Sequence, residues 1–423
     1  MDKAAKKTVL DNGIKILTKQ MPSVHSISMG IWVDVGTRDE NPSENGLSHF
    51  IEHMLFKGTN TRSAFQIAKD FDAIGGHANA FTTMENTCYH AKVVAIHLPL
   101  LVNVLSDIFL NSNFESKEIK NERPVILQEI AMIEDNPEDN IHTLISKVYW
   151  GDHPLGQSIL GTPKNIKEFN SELIKDFFQK FYTPNNIIIA AAGNIEHESF
   201  VKLIAPIFDR IKNTSKKLDR KPPDACSKIL IKNKDLEQLH ICFGFEGIPI
   251  TDPKRYSFSL LNTILGGNMS SRLFQELREK KGLAYSVYSF LSSNTDSGMF
   301  GIYAGVDPKK AKQTIEIILT ELSTLKKGII DISEIDNAKE CTKANILLSS
   351  DSTDCQMFRI AQNELNFGRH IQLEDVLNNI DSVTKDEICE LAEHVFKKEL
   401  FALTMIGKIP DRKNIEQFIK YSR

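Results

Sequence analysis

The chain has 423 residues, which is long for one domain and suits two domains of roughly 200 residues each. Its hydrophobic share of 41% and charged share of 25% are typical of a globular protein with sizeable cores. A net charge of −4 argues against partners such as nucleic acid or an anionic membrane surface. The longest apolar run, 187–192, is far shorter than the about 20 residues that span a bilayer.

The first predicted element is a β-hairpin near the N-terminus. Val9 and Ile16 flank Asn12-Gly13, a pair that favours a tight turn. No apolar segment follows the lysines of 1–7, so we expect no secretory signal. The 6 cysteines are scattered without a C-x-x-C pair, a pattern that suits a reducing compartment. We therefore expect a cytoplasmic protein of a bacterium, with the mitochondrial matrix as the less favoured location.

A strand over 26–35 precedes a predicted helix around 48–56 that contains the pattern H-x-x-E-H. His49 and His53 are four positions apart, so both imidazoles project from one helix face and can share a metal ion. Glu52 lies over the same face and can reach a metal-bound water without being a ligand. With 12 histidines in the chain, the odds of a chance match are on the order of one in fifty. The alternative is two surface histidines on an amphipathic helix.

Two further helices are predicted at 98–110 and 117–135 from the helical spacing of their apolar residues. The second helix carries Glu122 and Glu129, which lie seven positions apart and hence on nearly the same helix face. A catalytic zinc normally takes three protein ligands, and Glu129 can complete a His/His/Glu set. Glu122 can hydrogen-bond a ligand and fix its orientation. The alternative is an ordinary solvated acidic stripe.

The chain also contains an internal repeat at an offset of about 210 to 217 residues, with Trp150-Gly151 matching Phe367-Gly368. The strand at 187–192 has a counterpart at 401–406, and the two helices above have counterparts at 309–325 and 333–349.

The repeat and a polar, proline-containing stretch divide the chain. We predict an N-terminal domain at 1–212, a linker at 213–226 and a C-terminal domain at 227–423. Each half mixes period-2 strands with amphipathic helices. The sequence therefore predicts an α+β fold of two homologous domains, each a mainly antiparallel sheet covered by helices, facing each other across a cavity.

Four separate segments resemble the pitrilysin family of zinc metallopeptidases, closest to its mitochondrial-processing-peptidase-like and bacterial processing-protease branch. They begin at Gly46, Gly75, Glu122 and Ser271 and read GLSHFIEHMLFKGT, GGHANAFTTME, ERPVILQE and SRLFQELREKKGLAYSV. The resemblance extends over nearly the whole chain. It implies one zinc ion per chain, bound by His49, His53 and Glu129, with Glu52 as general base and Glu122 in support.

The resemblance also implies residues that contact a peptide substrate. The segment that resembles a substrate-pairing edge strand is Asn79, Ala80, Phe81 and Thr82. Arg278 and Tyr285 match residues that contact the substrate near the scissile carbonyl. Asp139 matches one of two acidic residues that read arginine near the cleavage site, but the other position is Thr143, so a requirement for arginine stays open. The long glycine-rich loop of the non-catalytic processing subunit is reduced here to Gly266-Gly267.

The implied reaction is metal-assisted hydrolysis of unfolded or extended peptides without a covalent intermediate. One alternative is a catalytically inactive structural or partner subunit of the same fold, against which the intact motif counts. The second is a metal-dependent hydrolase of non-peptide substrates. Relatives of this size work as pairs of chains, so we expect a homodimer, with a heterodimer with a paralogue as the alternative.

Overall fold

The computed structural model describes residues 4–213, 218–397 and 401–409, so parts of the predicted linker and C-terminal domain (214–217, 398–400 and 410–423) lie outside the described residues. The chain divides into two compact units of three segments each. The first unit comprises Met1–Met132, Gln157–Arg220 and Leu347–Gln372, and the second comprises Ile133–Gly156, Lys221–Ile346 and Leu373–Arg423. Among the described residues, no helix is long and apolar enough to cross a membrane.

The first unit contains a six-stranded sheet. Its strands are β1 (Lys6–Val9), β2 (Lys15–Gln20), β3 (Ser26–Val33), β4 (His77–Thr82), β5 (Thr87–Val94) and β6 (Ile187–Gly193). Their spatial order is β1-β2-β6-β3-β5-β4, and only β2 and β6 are parallel. The predicted N-terminal hairpin is present as β1 and β2, joined by a loop over 10–14.

The second unit contains a five-stranded sheet of closely related topology. Its strands are β7 (Ile229–Asn233), β8 (Leu239–Glu246), β9 (Ala284–Ser293), β10 (Gly298–Val306) and β11 (Phe401–Gly407). Their order is β7-β11-β8-β10-β9, again with a single parallel pair, β7 and β11. This order repeats that of the first sheet without β1, and it confirms the prediction of an α+β fold with two homologous, mainly antiparallel sheets.

Helices cover both sheets. Those of the first half of the chain are α1 (Leu47–Leu55), α2 (Ala64–Ala73), α3 (Leu98–Asn111), α4 (Ser116–Asp135), α5 (Pro137–Trp150), α6 (Pro163–Glu168), α7 (Ser171–Phe181) and α8 (His197–Phe208). Those of the second half are α9 (Arg255–Leu265), α10 (Ala311–Lys326), α11 (Ile332–Ser350), α12 (Thr353–Phe367), α13 (Leu373–Ser382) and α14 (Lys385–Val395). A π-helix spans Phe274–Lys280.

Two of these helices are exchanged between the halves of the sequence. Helix α5 belongs to the second unit, where it packs against β8 and β11, and α12 belongs to the first unit, where it packs against β2, β3 and β6. The two helices occupy equivalent places in the internal repeat. The predicted domain boundaries, 1–212 and 227–423, do not include this exchange of helices, and they stay predictions.

The exchanged helices explain why the central strands are apolar along their whole length. Both faces of β3 and β8 are covered, so every residue from Ile27 to Val33 and from Leu239 to Phe245 is buried. A glycine on each strand lets the helix approach. A Cβ at Gly30 would lie 2.9 Å from Met357 Sδ, and one at Gly244 would lie 3.3 Å from Ile145 Cγ1.

Candidate metal centre

Helix α1 places the two histidines of the H-x-x-E-H pattern side by side. The helix begins after Gly46, whose φ of 99° is in the left-handed region that favours glycine, and it ends at Leu55. Its apolar residues Phe50, Ile51, Met54 and Leu55 are buried and fix its rotation. The imidazole rings of His49 and His53 then lie 4.6 Å apart between centroids. The spacing of four residues thus places His49 and His53 on the same face of α1.

Helix α4 brings a carboxylate to both rings. Glu129 Oε2 lies 3.6 Å from His49 Nε2 and 3.7 Å from His53 Nε2. One potential ligand atom from each of the three residues lies within 4.8 Å of the others, and in the described part of the chain this is the one group of three or more such residues. The structure therefore brings together the three predicted ligands.

The donor set fits a zinc ion. Metal–ligand bonds of about 2.0–2.1 Å in tetrahedral geometry place ligand atoms about 3.3 Å apart, slightly closer than the two contacts of Glu129. Burial, helped by the neighbouring His53, lowers the pKa of His49 to about 3. The imidazole of His49 is therefore neutral at physiological pH, which is the form that binds metal. Nitrogen and carboxylate ligands suit zinc, and they also accept manganese or cobalt.

Glu122 holds the second histidine in place. The Nδ1–H of His53 donates to Glu122 Oε1 over 2.8 Å, which leaves Nε2 with its lone pair toward Glu129. Lys57 Nζ lies 2.6 Å from the other oxygen, Glu122 Oε2. Burial alone would raise the pKa of Glu122, but its bonds with His53 and Lys57 together lower that pKa below the usual value. Both oxygens of this buried carboxylate are thus occupied.

Glu52 lies beside this cluster without belonging to it. Its Oε2 accepts a hydrogen bond of 2.5 Å from Thr82 Oγ1 on β4. Burial raises the pKa of Glu52, an effect that the Thr82 hydroxyl and His53 oppose and that Glu129 reinforces. A carboxylate with a raised pKa next to a metal cluster has the properties of a general base.

The predicted substrate strand lies at an edge of the first sheet. β4 pairs with β5 alone among the described strands, so one side of its backbone can accept another strand. Along β4 the side chains alternate between the two faces of the sheet. Thr82 and Ala80 therefore share the face that carries Glu52, whereas Phe81 packs on the other face against Trp32, 5.5 Å away between ring centroids. Asn79 is exposed.

The remaining predicted residues belong to the second unit. Arg278 lies in the π-helix, and its guanidinium lies 5.1 Å from the ring centroid of Tyr285, which is 76% exposed at the start of β9. Asp139 is exposed in the first turn of α5 and accepts a hydrogen bond of 2.6 Å from the Asn136 side chain. The described contacts thus bring Arg278 and Tyr285 together and join Asp139 to Asn136.

The sequence did not point to two residues that support this centre. The sequence pattern does not mark Lys57, although this residue lies only four positions after His53. Glu40, nine residues before His49, is 3% exposed and accepts hydrogen bonds from the backbone of Gly46 and Ser48 at the start of α1. Burial raises the pKa of Glu40 to about 8, although these backbone N–H groups act in the opposite direction. The sequence signal for such an acceptor is the glycine at the start of α1, because glycine has no side chain that could cap the helix.

Comparison with known proteins places this centre in a family. Residues 15–163 match the family model described as insulinase, peptidase family M16, and residues 168–340 match the model described as the peptidase M16 inactive domain. A protein of Bacillus subtilis named as an uncharacterized zinc protease is 42% identical over 402 residues, which cover 95% of this chain and 98% of that protein. The chain belongs to peptidase family M16, the pitrilysin family.

Other M16 relatives agree in length and fold. A Streptomyces coelicolor protein, also named as an uncharacterized zinc protease, is 38% identical over 415 residues and covers 96% of this chain and 90% of that protein. The crystal structure of a protease from Helicobacter pylori superposes with a TM-score of 0.90 at 23% identity, over 96% of this chain and 99% of that chain. A structure from Pseudomonas fluorescens, titled as a peptidase M16 inactive domain, gives 0.89 at 18% identity. At these identities the two structures show the shared fold alone.

Proposed function

We propose that this chain is a zinc-dependent endopeptidase that hydrolyses extended or unfolded peptides, as a processing or degrading enzyme. The observation that carries the proposal is the arrangement around Glu52. The three ligand candidates cluster at one point, and Glu52 lies next to them with its carboxylate outside the ligand set. Its hydrogen bond to Thr82 connects the same carboxylate to the edge strand β4.

The metal site would hold one zinc ion through His49, His53 and Glu129. When bound there, zinc supplies Lewis acidity, the property that an attacking water and a peptide carbonyl both need. The protein's part is to keep His49 neutral by burial and to hold His53 by its bond to Glu122. His49 then need not lose a proton, and His53 need not rotate, before binding the ion.

Glu52 would move the proton of the reaction. Its carboxylate takes a proton from the attacking water and later donates it to the nitrogen of the cleaved peptide bond. Burial favours the uncharged form of Glu52, so the transient protonated state is less unfavourable than at the surface. The Thr82 hydroxyl holds one carboxylate oxygen, which leaves the other free to act.

The edge strand would hold the substrate backbone. One backbone edge of the segment 79–82 pairs with no other described strand, and an extended peptide can add there as a further strand. A folded protein exposes few such segments, which is why we propose unfolded or extended peptides as the substrate class. On the Glu52 face of β4, Ala78 and Ala80 are small and leave room for the side chains of a substrate.

Further substrate contacts are predicted for residues of the second unit. Arg278 and Tyr285 are both hydrogen-bond donors, the tyrosine is exposed, and their contact with a substrate stays a prediction. Asp139 would contact a basic side chain of the substrate. Homodimer assembly, with a heterodimer with a paralogue as its alternative, follows from the resemblance and stays a prediction. A cytoplasmic location follows from the scattered cysteines and is also a prediction.

The test is hydrolysis of an unstructured peptide by the purified chain. We expect cleavage that a chelator removes and added zinc restores. Glu52→Gln should keep the zinc and lose hydrolysis by about 10²–10⁴-fold, the usual contribution of a general base. Glu172→Gln, which changes an exposed carboxylate on α7, is the matched control and should retain both zinc and rate. A folded, zinc-loaded wild-type chain that cleaves no peptide would instead support an inactive partner subunit.

A further inference from the structure

The two histidines of the metal centre are held in different ways. His53 has a side-chain partner, because its Nδ1–H donates to Glu122. His49 Nδ1 is buried and has no hydrogen-bond partner. Metal-binding histidines usually donate their second nitrogen to a carboxylate or carbonyl, which fixes the ring. The orientation of His49 must therefore be fixed by packing around its buried ring and by the backbone of α1 that carries it.

His49 is the third residue of α1, so its position depends on where and how that helix starts. The N-terminal N–H groups of a helix have no partners within the helix and need an acceptor from elsewhere. Gly46 stands at the cap position and carries no side chain that could serve. A side chain cannot be added there without rearrangement, because a Cβ at Gly46 would lie 2.7 Å from Gly161 Cα.

Glu40 supplies the missing acceptor. Its Oε2 accepts the backbone N–H of Gly46 over 2.7 Å, and its Oε1 accepts that of Ser48 over 2.6 Å. Both oxygens of one buried carboxyl group thus hold the first turn of the metal-binding helix. The Asn45 side chain lies 3.4 Å from the same Oε2.

Glu40 is itself part of an anchored segment. The preceding residue, Asp39, receives two hydrogen bonds from Arg220, of 2.9 and 2.8 Å. Arg38 forms a buried ion pair of 2.6 Å with Glu85. Because its neighbours are fixed by charged partners, the Glu40 carboxylate is a stable reference point rather than a mobile cap.

We infer that Glu40 is a positioning residue of the metal centre: it fixes His49 through the first turn of α1, as Glu122 fixes His53 through its imidazole. This inference rests on the proposed function, because it takes the cluster to be a zinc site. Glu40 touches neither substrate nor metal. It acts on the ligand set by holding the backbone that carries the first ligand.

The test compares Glu40→Gln and Glu40→Ala with the wild-type chain by zinc titration of the metal-free protein and by the visible absorption of the cobalt-loaded protein. We expect a zinc Kd weaker by about tenfold or more, the usual size of an effect on a ligand's supporting contacts. The cobalt spectrum should change, because it reports the arrangement of the ligands. Glu40→Gln keeps the side-chain volume but replaces one acceptor oxygen by an NH₂ donor, so its effect should be the smaller of the two.

Glu364→Gln is the matched control. Glu364 is also a buried carboxylate of the first unit, paired with Lys7 and Lys15 at the sheet edge opposite β4. We expect it to lower the melting temperature and leave the zinc Kd and the cobalt spectrum unchanged. The double variant Glu40→Gln/Glu122→Gln should weaken zinc binding by the product of the single effects, because the two residues act on different ligands.

The outcomes separate the two proposals. A zinc Kd within twofold of wild type in folded Glu40 variants would overturn the positioning role and leave the proposed function intact. Failure of both variants to fold, even with zinc, would assign Glu40 to the fold in general and also overturn it. A wild-type chain that binds no zinc would overturn both proposals, whereas zinc binding without peptide cleavage would overturn the peptidase proposal alone.

Discussion

The two units of this protein share a fold and differ in chemistry. In the first unit α1 packs against the edge strand β4, and in the second α9 packs against the edge strand β9. Helix α1 carries His49, Glu52 and His53, whereas the buried side chains of α9 are serine, phenylalanine, leucine and isoleucine. Equivalent helices thus carry potential metal ligands in one unit and ordinary core residues in the other. The same fold can thus carry different side chains at equivalent positions, and those side chains determine the chemistry.

The two units also differ in whether the polar groups of a cluster hydrogen-bond one another. In the second unit His142 Nε2 donates to Tyr288 OH over 2.7 Å, and the Tyr288 hydroxyl donates to Glu138 over 2.8 Å. Each group there has a protein partner. In the first unit His49 and His53 instead direct nitrogen atoms at the Glu129 carboxylate, at distances too long for hydrogen bonds. Potential ligands that converge without hydrogen-bonding one another, as in the first unit, indicate a binding site. A network in which the groups hydrogen-bond one another, as in the second unit, indicates a structural role.

The largest difference between the two units is expected when a predicted zinc ligand is removed. His49→Ala should lose zinc and peptide hydrolysis together, because two protein ligands rarely retain a catalytic zinc. The matched control is His240→Gln in the second unit, which removes a buried histidine that bonds Tyr303. It should keep zinc at one ion per chain by metal analysis. Equal zinc loss in both variants would contradict the assignment of the metal to the first unit.

A smaller loss of zinc affinity is expected when Glu122, the carboxylate that accepts from His53, is changed. Glu122→Gln should weaken zinc binding by about 10–100-fold, because the amide cannot accept from both His53 and Lys57 as the carboxylate does. Glu334→Gln is its counterpart on α11 of the second unit, where Glu334 pairs with Arg272 at 2.7 Å. That variant should change thermal stability alone. Zinc titration of both proteins measures the difference, and equal affinities would remove Glu122 from the centre.

A smaller effect is expected at the contact between the base and the edge strand. Thr82→Val removes the hydroxyl that donates to Glu52 and keeps the shape of the side chain. A hydrogen bond of about 1 kcal/mol corresponds to a roughly fivefold loss of kcat. Thr82→Ser retains the donor and should retain most of the rate. If the serine variant is as slow as the valine variant, the hydroxyl is not what matters at this position.

The smallest difference between the units is expected at the exchanged helices. Met357 on α12 and Ile145 on α5 are fully buried against equivalent strands. Met357→Ala and Ile145→Ala should each cost about 2–5 kcal/mol of stability, the usual range for such core truncations. Thermal unfolding of the metal-free protein should show comparable decreases, with zinc affinity unchanged in both. A large loss of zinc affinity in either variant would mean that the exchanged helices also shape the metal centre.

Local spacing was enough to predict a good part of the candidate site. His49, Glu52 and His53 share one short helix, and helical periodicity alone places them on one face. Glu122 and Glu129 share another helix in the same way. The structure brings the two helices together as expected, and it adds that Glu122 contacts both His53 and Lys57. The catalytic and ligand roles of these residues stay predictions until zinc binding and hydrolysis are measured.

Helices, strands, the repeat and the residue types of the site could be predicted from the sequence, because periodicity and motif spacing are properties of neighbouring residues. Which distant segments meet could not be predicted in this way. Glu40 and the first turn of α1 meet across a loop, Thr82 reaches Glu52 from another element, and α5 and α12 cover sheets of opposite halves of the sequence. These contacts depend on how elements pack, and packing depends on the shape and burial of whole faces rather than on spacing along the chain.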